Sequence, residues 1–86
     1  MLTDFEKAQI MWKLTRKNNW GNCYDRLEHF KRFPNLNEAI KELNKKGWIL
    51  IHKKQKFIGI SLDTSFKREI IEFIEREMPY VGGEFS

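Results

Sequence analysis

The stretch from Asn35 to Leu62 constrains the fold of this chain more than any other. It reads as a helix over 36–46, a glycine stop and two β-rich segments around a lysine-rich turn. Asn35 can cap the helix. Asn35-x-x-Glu38 has the spacing of a capping box, in which the cap and the third helical residue satisfy each other's free backbone N–H. Leu36, Ala39, Ile40 and Leu43 recur on one helical face, and Asn37, Lys41, Asn44 and Lys45 on the other. Gly47 can take the left-handed conformation that ends a helix. Trp48-Ile49-Leu50-Ile51-His52 and Phe57-Ile58-Gly59-Ile60-Ser61-Leu62 are rich in β-branched and aromatic residues and read as strands, with Lys53-Lys54-Gln55-Lys56 as their turn. A period of two puts Ile49, Ile51, Ile58, Ile60 and Leu62 on a core face, and Trp48, Leu50 and Phe57 on the opposite one.

Around this segment the pattern is helical. Thr3-x-x-Glu6 opens a first helix with a capping box, and Phe5, Ala8, Met11 and Trp12 mark its inward face. It should end near Lys17, because Asn18-Asn19-Trp20-Gly21-Asn22 is rich in turn formers. A short second helix is expected over 24–31, with Tyr24, Leu27 and Phe30 on one side. Phe33-Pro34 interrupts it, since proline disfavours helix in the residue before it. Asp63-Thr64-Ser65 supplies caps for a last helix over about 66–78, where Phe66, Ile70, Ile71, Phe73 and Ile74 form a broad apolar stripe. Arg68/Glu72 and Glu72/Arg76 have the spacing of surface ion pairs. The expected architecture is α+β: three helices, a two-stranded hairpin and a C-terminal helix in one domain over 1–79, with 80–86 as a loose tail.

Charge is unevenly spread. Between Lys41 and Lys56 six lysines face Glu42 alone, a net +5. The whole chain carries +4, so the other 70 residues carry −1. The excess lies where a phosphate-binding face on this helix and hairpin would need it. Cys23 is the only cysteine, so no internal disulfide can form and a reducing compartment is expected. Its expected role is that of a small buried hydrophobe. No apolar run approaches the length of a membrane span, and the first residues lack the pattern of a signal peptide, so the expectation is a soluble, cytoplasmic protein.

Catalysis is not expected. The chain has no Gly-rich phosphate loop and no Ser/His/acid or Cys/His constellation on an evident scaffold. Glu69, Glu72, Glu75 and Glu77 alternate with basic residues as on a solvated helix face. His29 and His52 are too isolated to suggest a metal site. No cofactor or small-molecule ligand is indicated.

The order helix, helix, helix, hairpin, helix resembles the winged helix-turn-helix family, especially its small bacterial and archaeal regulators, over roughly residues 5–78. The most specific part is Leu43-Asn44-Lys45-Lys46-Gly47-Trp48-Ile49, similar to the family's succession of leucine, polar residues, a basic residue, glycine, any residue and isoleucine. The resemblance implies a double-stranded DNA-binding transcriptional regulator. Helix 36–46 would enter the major groove and the 53–56 tip would grip the backbone. Carried over by position, Asn37, Lys41, Asn44 and Lys45 would face the groove and Lys53, Lys54 and Lys56 would be the wing contacts. Glu38 departs from the pattern, because a carboxylate facing phosphates is repulsive unless it folds back on its own helix cap.

Plainer readings stand beside these. Lysines at a hairpin tip also keep it soluble and block edge-to-edge pairing. Trp48, Leu50 and Phe57 on one hairpin face would need cover, from the last helix or from a second subunit. Ile71 and Phe73 of the last helix are the other candidate, and a homodimer is expected with either face as its interface. Winged helices also serve as protein-interaction modules, which Glu38 and the apolar hairpin face would suit. RNA or single-strand binding would require Trp48, Phe57 or Phe33 to be exposed for stacking on bases.

Overall fold

A computed structural model of the chain describes residues 2–81. The architecture is α+β, with three helices and one three-stranded antiparallel sheet. In chain order the elements are α1 (Asp4–Arg16), β1 (Asp25–Arg26), α2 (Leu36–Lys45), β2 (Ile49–Lys53), β3 (Ile58–Leu62) and α3 (Lys67–Glu77). Short 3-10 turns over Leu27–Phe30 and Thr64–Phe66 precede α2 and α3. The sheet order is β1-β3-β2.

Both helix ends around the first connection and the hairpin are set by local chemistry. Thr3 caps α1, its hydroxyl accepting from the Glu6 N–H at 3.1 Å. The helix stops at Asn18, which takes φ +57°, while Asn18 N–H and Asn19 N–H bond the carbonyls of Thr15 and Leu14. Gly47, at φ +82°, ends α2 in the same way: Gly47 N–H bonds Asn44 O and Trp48 N–H bonds Leu43 O. This double bond pattern around a left-handed residue is the Schellman motif, and glycine enters it without steric cost.

The core-facing side of α1 is turned relative to expectation. Ala8, Ile10, Met11 and Leu14 are fully buried, because α1 packs on α3, β3 and α2. Phe5 is 41% exposed and Trp12 is half-buried at the core edge. From the rest of the chain, Phe30, Ala39, Leu43, Ile49, Ile60, Leu62, Ile70 and Ile74 complete the interior.

No second helix forms over 24–31. Asp25 and Arg26 instead pair with Ile60 and Gly59, adding a third strand to the hairpin and covering an edge of β3 that would otherwise hold free backbone groups. Only Leu27–Phe30 remains before Pro34, enough for a single 3-10 turn. Tyr24 leaves the expected helical face and lies on the sheet over Gly59, stacked on His52 with ring centroids 4.8 Å apart. Cys23, in the turn leading to β1, is exposed rather than buried.

The hairpin register pairs Ile49 with Leu62, Ile51 with Ile60 and Lys53 with Ile58. The expected core face is therefore shared, but the hairpin outreaches the core: Ile51 is 36% and Ile58 42% exposed. Both Trp48 and Phe57 fall outside the strands. Lys54 N–H closes the turn on Phe57 O, and Trp48 N–H and C=O serve the end of α2 and Asp63 N–H. At the C-terminal side Asp63 caps the turn by accepting from Ser65 N–H, and α3 buries Ile70, Phe73 and Ile74. Arg68 pairs with Glu72 as its spacing suggests, whereas Arg76 turns to Glu77. The ordered chain extends past residue 79: a 3-10 turn over 79–81 buries Val81 against the core. The remainder of the expected tail, 82–86, lies outside the described residues.

Candidate nucleic-acid interface

The position of α2 is fixed from α1. Asn35 caps α2 only with its backbone, its carbonyl accepting from Ala39 N–H. The Asn35 side chain does not bond its own helix. Its backbone N–H and amide Nδ2 both donate to the Glu6 carboxylate, at 3.0 and 3.1 Å. Neither expected capping box therefore closes on itself. Glu6 leaves the cap of its own helix to serve the next one, and Glu38 is left exposed with no partner among the described residues. Next to Glu6 on α1, Lys7 bridges to Glu42 at 3.0 Å and Asp4 at 3.3 Å. The hydrogen bond to Glu42 raises the Lys7 pKa, against the opposing effect of burial. From the other side, Asn44 Nδ2 donates to Ile49 O at 2.8 Å and ties α2 to β2.

These ties decide which side chains α2 offers to a partner. Asn37, Lys41 and Lys45 are exposed, with no partner among the described residues. At spacings of four they form one stripe about 12 Å long. Asn44 is exposed too, but one of its two amide N–H donors is held by β2, which fixes the orientation of the side chain. Glu42 is neutralised by Lys7 and Glu38 is not, so the stripe carries Lys41 and Lys45 against Glu38. Lys46 folds away, its ammonium 4.9 Å from the Trp48 ring centre and 6.0 Å from that of Phe73.

At the other end of the hairpin Lys53, Lys54 and Lys56 are all exposed. Lys54 lies 5.2 Å over the Tyr24 ring, while Lys53 and Lys56 have no partner among the described residues. Arg26 also lies here, its guanidinium 4.5 Å from the Phe57 ring centre and paired with Glu28 at 3.2 Å. Nothing in the segment 41–56 announced it, because it arrives with the unexpected strand β1.

Trp48, Leu50 and Phe57 do not assemble as one hairpin patch. Trp48 packs edge-on against Phe73 at 5.6 Å, and Phe73 is a core residue, 6% exposed. Phe57 lies at the hairpin tip beside Tyr24, roughly 15 Å or more from Trp48 along the strand. Leu50 and Ile71 are half-buried. Of the rings considered for base stacking, Phe33 is buried and Trp48 and Phe57 are half-buried by these contacts.

The opposite face of the sheet holds a polar group that the sequence reading missed. Ser61 is fully buried; its hydroxyl donates to Gly21 O at 2.7 Å and lies 2.9 Å from His52 Nε2. A serine has one proton to give, so His52 Nε2 is the donor in their contact. The pair locks the 19–24 loop to the sheet. The signal was Gly59: a glycine inside a strand often marks a close approach, here of the Tyr24 ring. Next to it, Asp25 accepts from Lys17 at 3.0 Å and contacts His29 Nδ1 at 2.7 Å. Burial works to raise the Asp25 pKa, but the bonds to Lys17, His29 and Arg26 N–H outweigh it and hold it below the usual 3.8.

No cluster of three potential metal-ligating His, Cys, Asp or Glu side chains occurs among the described residues. No described helix is long and apolar enough to cross a membrane. Comparison with family models, curated proteins and solved structures finds no match for this chain.

Proposed function

We propose that this protein is a winged-helix double-stranded DNA binder acting as a transcriptional regulator. In this reading α2 lies in the major groove and the β2–β3 tip is the wing on the phosphate backbone. The second helix of the motif is reduced to the 3-10 turn over Leu27–Phe30. One observation carries the reading. The ties from Glu6, Lys7 and Asn44 hold α2 rigidly, while Asn37, Lys41 and Lys45 are left outward and unpartnered in a segment whose hairpin tip adds three more lysines. A preorganised polar helix face with backbone-directed cations beside it is the arrangement that groove recognition uses.

Fluorescence anisotropy of the purified protein against random duplex DNA, single-stranded DNA and structured RNA, each over a salt series, tests it. Duplex binding that weakens steeply with salt is the expected result. No duplex binding at low salt would refute it.

A second reading, a protein-interaction module, is favoured by the exposed Ile51 and Ile58 on the overhanging hairpin and by the unpaired Glu38. Self-association through the hairpin belongs to this reading and is measured by sedimentation of wild type against Ile58→Asp.

A further inference from the structure

A cleft opens beside the C-terminal half of α1, away from α2's stripe and the hairpin tip. Lys13, Arg16 and Lys17 line it from α1 and its cap, and Arg32 from the turn before α2. Trp12 and Met78 give it an apolar wall. Among the described residues no carboxylate lines it. None of the seven residues assigned to the duplex lines it either.

Cations in the last turn of a helix are ordinary, because they complement the partial negative charge of its free carbonyls. That accounts for Lys13, Arg16 and Lys17. It does not account for Arg32, which arrives from a different element and adds a like charge. Two of the four cations are already engaged: Lys17 pairs with Asp25, and the Lys13 ammonium donates to the His29 carbonyl. Arg16 and Arg32 have no ion-pair partner among the described residues, and Arg32 is braced over the Phe33 ring at 5.0 Å. Burial, followed by the like charges of Lys17 and Arg32, holds the Lys13 pKa below its usual 10.5. The site is thus electropositive and incompletely compensated. Guanidinium groups present paired N–H donors that match two oxygens of a phosphate.

We propose that this cleft binds a phosphate group, with Arg16 and Arg32 as the two guanidinium forks and Lys13 as a third donor. A phosphorylated small molecule is one source of such a group. The same chemistry also fits a phosphate of a nucleic-acid strand leaving the main interface.

The test is amide and side-chain NMR of the full chain titrated with inorganic pyrophosphate in dilute chloride buffer. The expected result is saturable shifts of the Arg16 and Arg32 Nε–H and Trp12 indole N–H signals. In Arg16→Gln/Arg32→Gln, with amide dispersion unchanged, affinity should fall by about tenfold or more. Arg16→Lys/Arg32→Lys should recover part of it. No saturable shift, or equal affinity in the Gln variant, would overturn the proposal. A parallel titration with a short duplex separates the sources. If the Gln variant weakens pyrophosphate alone, the cleft serves a free phosphorylated ligand; if it weakens both, the cleft serves the nucleic-acid backbone. Pyrophosphate binding is read without any duplex, so its failure and that of the DNA-binding reading are distinguishable.

Discussion

Glu6 is the residue on which the placement of α2 most depends, and its removal has a calculable cost. Its carboxylate accepts from both the backbone N–H and the side-chain amide of Asn35, in a half-buried setting. A hydrogen bond to a charged group contributes about 1.5–3 kcal/mol when well shielded. Water can partly replace these, so the low end applies and Glu6→Ala should cost about 2–3 kcal/mol in total. Asn35→Ala removes only the amide bond and should cost about 1 kcal/mol. The double variant should be no worse than Glu6→Ala alone, because the amide has already lost its acceptor, giving a coupling of about 1 kcal/mol. Urea titration followed by far-UV circular dichroism measures all three. In a domain of this size each kcal/mol moves Tm by about 4–8 °C, so thermal melts give an independent reading. Glu38→Ala is the discriminating control. If the cap were the local box read from Asn35-x-x-Glu38, that variant would be costly; with Glu6 as the partner it should stay within about 0.5 kcal/mol of wild type. Equal costs for Glu6→Ala and Glu38→Ala would refute the reasoning.

Three further outcomes follow from the same contacts. A Cβ on Gly59 would lie 2.4 Å from Tyr24 Cδ1, so Gly59→Ala must displace the ring from its stack on His52 and should cost about 1–3 kcal/mol by urea titration, less in a Tyr24→Ala background. Asp25 has its pKa depressed in the folded state, so its stabilisation is present above the ordinary value of 3.8 and is lost as pH falls through the folded one. Asp25→Asn should therefore flatten the acid limb of a stability-versus-pH curve and leave its neutral-to-alkaline shape unchanged. Replacing Lys53, Lys54 and Lys56 with Ala should weaken duplex binding for every sequence and flatten the log–log salt slope by about 0.9 for each lysine that meets a phosphate, whereas Asn37→Ala should change sequence preference.

Where local chemistry decides an element, the sequence was legible. Gly47 ends α2 because the Schellman geometry needs a positive φ, and the alternation along the hairpin placed Ile49, Ile60 and Leu62 in the core, though not Ile51 and Ile58. Two of the departures are places where a distant partner displaced a local one. Tyr24, Leu27 and Phe30 have helical spacing, but Asp25 and Arg26 gain more by pairing with the free edge of β3 than by starting a helix of two turns. Glu6 and Asn35 are each spaced for a box with a near neighbour, yet they bond each other across 29 positions. A spacing rule can name a residue able to cap a helix; it cannot say which helix.

The same limit governs the candidate site. Counting charge along the chain isolated Lys41–Lys56, because six lysines there face Glu42 alone. It hid Lys13, Arg16, Lys17 and Arg32, because their surplus was pooled with the acidic stretch 57–86, which carries −3, into a remainder of −1. Folding then separates what the count had merged: Asp25 takes Lys17, Glu42 takes Lys7, and Arg16 and Arg32 line the cleft with no ion-pair partner among the described residues. Sequence charge reports how many counterions a segment brings. Which cations remain free for an outside anion depends on how many carboxylates the fold has already spent, and in this chain that leaves two places to look, the α2–hairpin surface and the α1 cleft.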